Sequence, residues 1–275
     1  MANNQNDHLG VLGIGLFFII LVLAITFLRP VFFGKKEKDN MKSTEVEQPE
    51  EKDAFENRRI SAEELLSKIN SQELVSLIDI RDEVSFKKEH LLDSQSMLPP
   101  DLESFLASFD RNKKYVLIGN DGQDALEVIT RLFSEDNYSN INYLTGGFSG
   151  WKQALGSTVN EGDPNSFTDQ SKVSYIKSED LKALLEKESN LLVIDLRKNA
   201  TFQDGHIEGS MNIFLDDLEK KRAEILPGKK IILTDNNGLW AFQGAVRLFD
   251  MGIFNVLALS DGLDGWKSKG FEIVR

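Results

Sequence analysis

The sequence predicts an α/β protein in which a single N-terminal transmembrane helix precedes two domains, each a parallel sheet with helices on both faces. Three observations carry that expectation. Residues 9–28 (LGVLGIGLFFIILVLAITFL) form an uncharged apolar run, close to the roughly 20 residues a helix needs to cross the hydrocarbon core. The second half of the chain repeats the first: Asp79, Arg81, Phe86, His90, Asn120, Gly122 and the Arg131-Leu132-Phe133 run recur 116 positions later as Asp195, Arg197, Phe202, His206, Asn236, Gly238 and Arg247-Leu248-Phe249. Within each copy, short apolar runs alternate with helix-period stretches, the pattern of strands joined by crossover helices. The offset exceeds the roughly 20–50 residues of solenoid repeats, so each copy is expected to have its own core.

The first element is a short tail, residues 1–8, followed by the span at 9–28. The tail has Asp7 and neither Lys nor Arg, and the apolar run ends in FLRP, so the charged start and small-residue end of a cleaved signal are both missing. Gly10, Gly13 and Gly15 miss the i, i+4 spacing of a dimerising glycine pair. Arg29, Lys35, Lys36, Lys38 and Lys42 follow the span, which places the large C-terminal part in the cytoplasm and the N-terminus outside. The chain is thus expected in the cell membrane as a single-pass protein, with the lipid bilayer as its first partner. Residues 29–59 are rich in Lys, Glu, Asp and Asn, a composition that cannot repay the entropy of ordering and reads as a flexible tether.

The first domain, residues 60–155, opens with ISAEELLSKI, where Ser61 is placed to cap a helix and Glu64 follows three residues on. The second, residues 172–275, opens with IKSEDLKALL at the same offset. Each helix leads to an apolar strand, LVSLIDI or LLVIDL, that ends in Asp-x-Arg and delivers polar groups to a loop. A second strand (YVLIG or IILTD), a glycine-containing turn, a helix and a third strand (NINYL or NVLAL) follow, and each copy closes alike with LTGGFSGW or LSDGLDGW. Residues 156–171, rich in Gly, Ser, Asn, Asp and Pro, form the interdomain linker.

Composition narrows the chemistry. The 275 residues carry a formal net charge of −12 with a pI near 4.9, so a phosphate backbone would be repelled and no nucleic acid partner is expected. The absence of cysteine excludes disulfides, thiolate metal sites and a thiol nucleophile. With only His8, His90 and His206, scattered along the chain, neither a metal site nor a cofactor is expected. The Lys/Asn/Ile-rich usage has a bacterial character.

Residues 191–214 (LLVIDLRKNATFQDGHIEGSMNIF) resemble the signature of the rhodanese family: an apolar strand, Asp-x-Arg, an aromatic, GHIxGS and Asn-Ile. With the strand, loop and helix at 231–249 and the closing LSDGLDGW, the resemblance covers the second domain. The first domain is more distant, keeping LIDIR, Phe86, His90 and LTGGFSGW but replacing GHIxGS by EHLLDS. In that family, the resemblance implies, sulfur transfer uses one cysteine at a strand end, in a cradle of backbone N–H groups that leads into a helix and lowers the thiol pKa. That position falls on Gly119 in the first domain and Asp235 in the second; the basic residue five positions later falls on Asp124 and Trp240. The resemblance therefore implies a sulfurtransferase fold that has lost its nucleophile twice, a pseudoenzyme.

The remaining site residues read as follows. Asp235 is expected to accept its own loop's N–H groups, because the surrounding DNNGLWAF has no cation to clamp a phosphoryl group on an aspartyl nucleophile. Asp79, Arg81 and His90, with Asp195, Arg197 and His206, are expected to hold loops by hydrogen bonding, and Trp151 and Trp266 to plug the core under each cradle. Asn120, Asp121, Gly122, Gln123 and Asp124, and Asn236, Asn237, Gly238, Leu239 and Trp240, form vestigial loops at strand C-termini, where α/β sheets present ligand or partner surfaces. Trp240 is a candidate aromatic anchor or a core residue. The leading reading is a membrane-anchored, inactive scaffold or binding module that meets a membrane-protein or cytoplasmic partner. The competing reading is an enzyme or anion-binding variant of the same fold, sulfurtransferase-like or phosphatase-like, working without cysteine. A third possibility makes the span itself the functional part, inside a larger membrane complex.

Overall fold

The computed structural model describes residues 53–105, 108–132, 138–225 and 228–275. The span at 9–28 and most of the tether lie outside these; among the described residues no helix is long and apolar enough to cross a membrane. Each sequence copy folds into a five-stranded, wholly parallel sheet. In the first domain the order is β1 (Arg59–Ile60), β6 (Ile141–Leu144), β5 (Lys114–Ile118), β2 (Val75–Asp79) and β4 (Ser94–Ser96). The second repeats it as β8 (Ser174–Ile176), β12 (Val256–Leu259), β11 (Lys230–Thr234), β9 (Leu191–Asp195) and β10 (Met211–Asn212).

The strands alternate sides at period two, so each sheet has two cores. In the first domain Ile78, Leu117 and Ile141 pack with Leu102, Val128 and Ile129 from α3 (Pro99–Phe105) and α4 (Gln123–Leu132). On the other face Leu77, Val116, Ile118 and Leu144 pack with Leu65 of α1 (Ala62–Asn70) and Trp151 of α5 (Gly147–Gln153). The second domain repeats both layers, using α9 (Leu239–Asp250) on one side and α7 (Ser178–Lys187) with α10 (Gly262–Ser268) on the other. Ser61 caps α1, its hydroxyl accepting the Glu64 N–H at 3.1 Å. The matching position in α7 is Lys177, which makes no side-chain cap; instead Asp261 accepts the Ser178 N–H at 3.1 Å.

Two segments outside the parallel sheets also carry structure. Asp53–Arg58, placed in the flexible tether, forms a 3-10 helix, because Phe55 enters the first core and Arg58 lies over its ring at 4.9 Å. The interdomain linker also carries structure: β7 (Thr158–Asn160) pairs antiparallel with β3 (Glu89–Leu91), and α6 (Phe167–Ser171) follows. The same pairing recurs in the second domain as a bridge from His206 to Val274.

The domains belong to one compact unit. Asp250 at the end of α9 accepts the Asn160 side-chain amide at 2.8 Å and the Lys172 ammonium at 2.8 Å, which fastens the linker to the second domain. Across the interface, Glu219 reaches His90 and Asp93, and Arg222 pairs with the Asp93 carboxylate.

Candidate functional site

In each domain the central strand ends in a tight loop that turns into a helix: β5 enters residues 119–122 before α4, and β11 enters residues 235–238 before α9. Gly122 (φ +89°) and Gly238 (φ +93°) turn the chain in the left-handed region that side chains resist. Behind each loop stands the closing glycine motif. Phe148 and Ser149 donate backbone N–H groups to the carbonyls of Gly119 and Asn120 at 2.8 and 3.1 Å, and Leu263 and Asp264 repeat this on Asp235 and Asn236 at 2.7 and 2.9 Å. The loops are thereby pinned from below, with their N–H groups directed inward around one point.

That point holds a carboxylate in both domains, supplied from different positions. In the second domain it is Asp235, 3% exposed, which accepts the N–H of Gly238 at 2.7 Å and of Trp240 at 3.0 Å. Burial pushes its carboxyl above the ordinary range, and the N–H groups of Trp240, Gly238, Ala241 and Asn237 pull the other way without cancelling it. In the first domain position 119 is glycine, and the carboxylate comes from Asp124. A Cβ built on Gly119 would land on that carboxyl group. Asp124 accepts the Asn120 N–H at 2.7 Å and its side-chain amide at 2.9 Å. The sequence signal for this was available: Gly119 with Asp124 is answered by Asp235 with Trp240, one acid at this pair of positions in each loop. Read as the loss of a cation, Asp124 was missed as the group that fills the cradle.

The flanking residues are also duplicated. Arg81 grips Asp79 through Nε and Nη2 at 2.9 and 2.7 Å and donates to the Glu89 carbonyl at 2.8 Å; Arg197 grips Asp195 at 2.9 and 2.6 Å and donates to the Gly205 carbonyl at 2.8 Å. Both pairs are buried, with each carboxylate taken up by the guanidinium fork and the Arg backbone N–H. Arg197 also reaches Asn236 Oδ1 at 3.4 Å, and Arg81 lies 3.8 Å over the Phe148 ring. Gln123 and Leu239 donate backbone N–H groups to the side chains of Asp121 and Asn237 at 3.0 and 3.1 Å, so the two loops share an Asx turn.

Trp151 and Trp266 are 2% and 3% exposed and donate Nε1–H to the carbonyls of Ser157 and Glu272 at 3.1 and 2.9 Å. Trp240 is half-buried, with its ring edge-on to Phe214 at 5.8 Å and its body against the second core. His90 and His206 are each hydrogen-bonded through Nδ1 to the carbonyl four residues earlier. Across the domain interface Glu219 meets His90 Nε2 and the Asp93 N–H, and Arg222 pairs with the Asp93 carboxylate; the sequence reading did not single out these three.

Each sequence copy is thus a parallel α/β domain with a backbone N–H cradle between its central strand and the following helix. The model of the Rhodanese-like domain family matches residues 61–154 and 177–269, well over half of the chain, and the chain belongs to that family. Among curated proteins it is similar to the Uncharacterized protein YibN of Escherichia coli (strain K12), 31% identical over 108 residues that cover 38% of this chain and 75% of that protein. It is also similar to a Sulfurtransferase of Allochromatium vinosum, 26% identical over 102 residues, 37% of this chain and 95% of that protein. Among solved structures, the thiosulfate sulfurtransferase of Pseudomonas aeruginosa aligns with 79% of this chain at 22% identity and a TM-score of 0.43. The chain spans 43% of that protein's length.

Proposed function

We propose that this protein is a catalytically silent tandem rhodanese-like module, held at the cytoplasmic face of a membrane by residues 9–28 and working by binding other proteins. The observation that carries the reading is the filling of both cradles by the chain's own carboxylates, Asp124 and Asp235. A thiol nucleophile is absent from the whole sequence. An incoming anionic sulfur donor would have to displace a fixed negative charge from N–H groups that already have partners, so each cradle opposes the substrate its shape once suited.

The competing enzymatic reading gains support from the name of the Allochromatium relative, yet it needs a nucleophile that neither loop supplies. Asp235 is enclosed by N–H groups with no Lys or Arg in its loop. The deciding assay uses the full chain in detergent with thiosulfate and cyanide, and separately with a phosphate ester. The expected result is no thiocyanate or phosphate release above an Asp235→Asn control. Turnover that disappears in that control would overturn the reading. Membrane attachment is tested by fractionation: the full chain is expected in the membrane pellet, and a chain lacking residues 1–28 in the supernatant.

A further inference from the structure

The histidine turn is built twice, and only one copy has its outer donors engaged. In the first domain His90 stacks on Phe86, centroids 4.0 Å apart and planes 15° from parallel, while Nδ1 bonds the Phe86 carbonyl at 2.9 Å. The second nitrogen, Nε2, meets Glu219 Oε2 at 3.0 Å, and the other oxygen of that carboxylate accepts the Asp93 N–H at 2.7 Å. One carboxylate thus spans a ring nitrogen and the backbone N–H three residues later.

In the second domain His206 stacks on Phe202 at 3.7 Å and 16°, with Nδ1 on the Phe202 carbonyl at 3.0 Å. Gly209, the counterpart of Asp93, has φ +76° where Asp93 has +67°, so the turn has the same left-handed shape. The stack and the Nδ1 bond fix the ring, and the turn fixes the N–H, so the pair is preorganised in both copies; because Nδ1 gives its proton to the carbonyl, Nε2 donates to a carboxylate as the imidazolium. Among the described residues no group bonds His206 Nε2 or the Gly209 N–H. The neighbouring Ser210 hydroxyl is buried without a partner, whereas its counterpart Ser94 donates to the Leu91 carbonyl at 2.7 Å.

We propose that His206 Nε2 and the Gly209 N–H form a second carboxylate-binding site, taken by an acidic side chain of a partner protein. Charge narrows the partner further. Asp204 stands where the first domain has Lys88, and exposed Glu208 stands where it has Leu92, so a bare anion meets repulsion here. The carboxylate in the first domain arrives with its own cation: Arg222, three residues after Glu219, pairs with Asp93. An occupant of the second site would carry the same pairing, an acid followed within one turn by Arg or Lys, and its cation would offset Glu208 and Asp204. The site lies outside both cradles, so its failure would leave their catalytic silence standing, and turnover at a cradle would leave this site standing.

The test is a titration of the full chain in detergent with ring-labelled histidine, whose three signals are assigned by substitution. The probe is a synthetic peptide with the sequence of residues 215–224, LDDLEKKRAE. Saturable movement of the His206 signal is expected, lost when the glutamate at the fifth peptide position is glutamine. Gly209→Asp, which restores the first domain's residue where a Cβ meets open space, is expected to tighten the peptide roughly two- to fivefold by adding an exposed partner for its arginine. A His206 signal unmoved by the peptide, or moved equally by the glutamine version, overturns the proposal. Saturation by acetate as readily as by the peptide overturns the protein partner in favour of a free carboxylate.

Discussion

Gly119 and Asp124 occupy one volume between them, and that coupling can be measured. Adding a methyl group at Gly119 forces the Asp124 carboxylate out of the cradle, so Gly119→Ala should cost about 1–3 kcal/mol as an overpacking change. In an Asp124→Gly background the same change should cost far less, a non-additivity of roughly 1 kcal/mol or more in urea unfolding. Additive effects would mean that the carboxylate does not sit where the cysteine position points. Asp235→Ala should cost about 1–3 kcal/mol, because it strips the partner from buried N–H groups. The pH dependence has a definite sign. Burial raises the folded carboxyl above its ordinary 3.8, so the folded state holds this proton more tightly than the unfolded chain. Its linked stabilisation is complete below 3.8 and is lost as pH rises through the folded value. The stability gap between wild type and Asp235→Ala should therefore be wider in acid than at neutral pH.

At the scale of elements, the strand-loop-helix unit depends on glycine where two backbones touch. Gly262 (φ +56°) opens α10, and a Cβ there would strike the backbone of Asn236 and Asn237 in the cradle. Gly252 (φ +81°) follows α9 and faces open space. Both substitutions to alanine incur the left-handed strain of about 1–3 kcal/mol, but only Gly262→Ala also displaces the loop. Thermal melts should show Gly262→Ala as the more destabilising change, and equal losses would refute the close approach. The central strands and the helices that follow them were legible because short, mostly apolar runs bounded by glycine and polar turns leave few alternatives. The edge strands β1, β4, β8 and β10, each two or three residues long, were not. Their pairing depends on where the neighbouring strand already lies, and so few residues carry no period of their own.

At the scale of the whole molecule, Glu219 couples the two domains. Burial alone would raise its carboxyl, but hydrogen bonds from His90 and the Asp93 N–H, with the charges of His90 and Arg222, outweigh burial and hold it below its ordinary 4.5. A carboxylate held low stabilises the folded state above the ordinary value, and that contribution fades as pH falls through the folded one. Glu219→Gln should weaken the interface at neutral pH by about 1–3 kcal/mol, the scale of a hydrogen bond to a charged group. Calorimetry should then show the domains melting less cooperatively than in wild type. Well below 4.5 the two proteins should converge; a constant difference across pH would remove Glu219 ionisation from the interface.

The amino-acid order by itself determined the duplication, the strand-and-helix alternation and the absence of any cysteine, because these are properties of spacing, period and residue identity along one dimension. Only the tertiary structure decided which carboxylate fills each cradle and which histidine the other domain engages. Asp124 reaches the Gly119 position through a loop that folds back on itself, and Glu219 meets His90 from 129 residues away. Contacts of that kind depend on how close two groups come in space, which residue spacing does not encode.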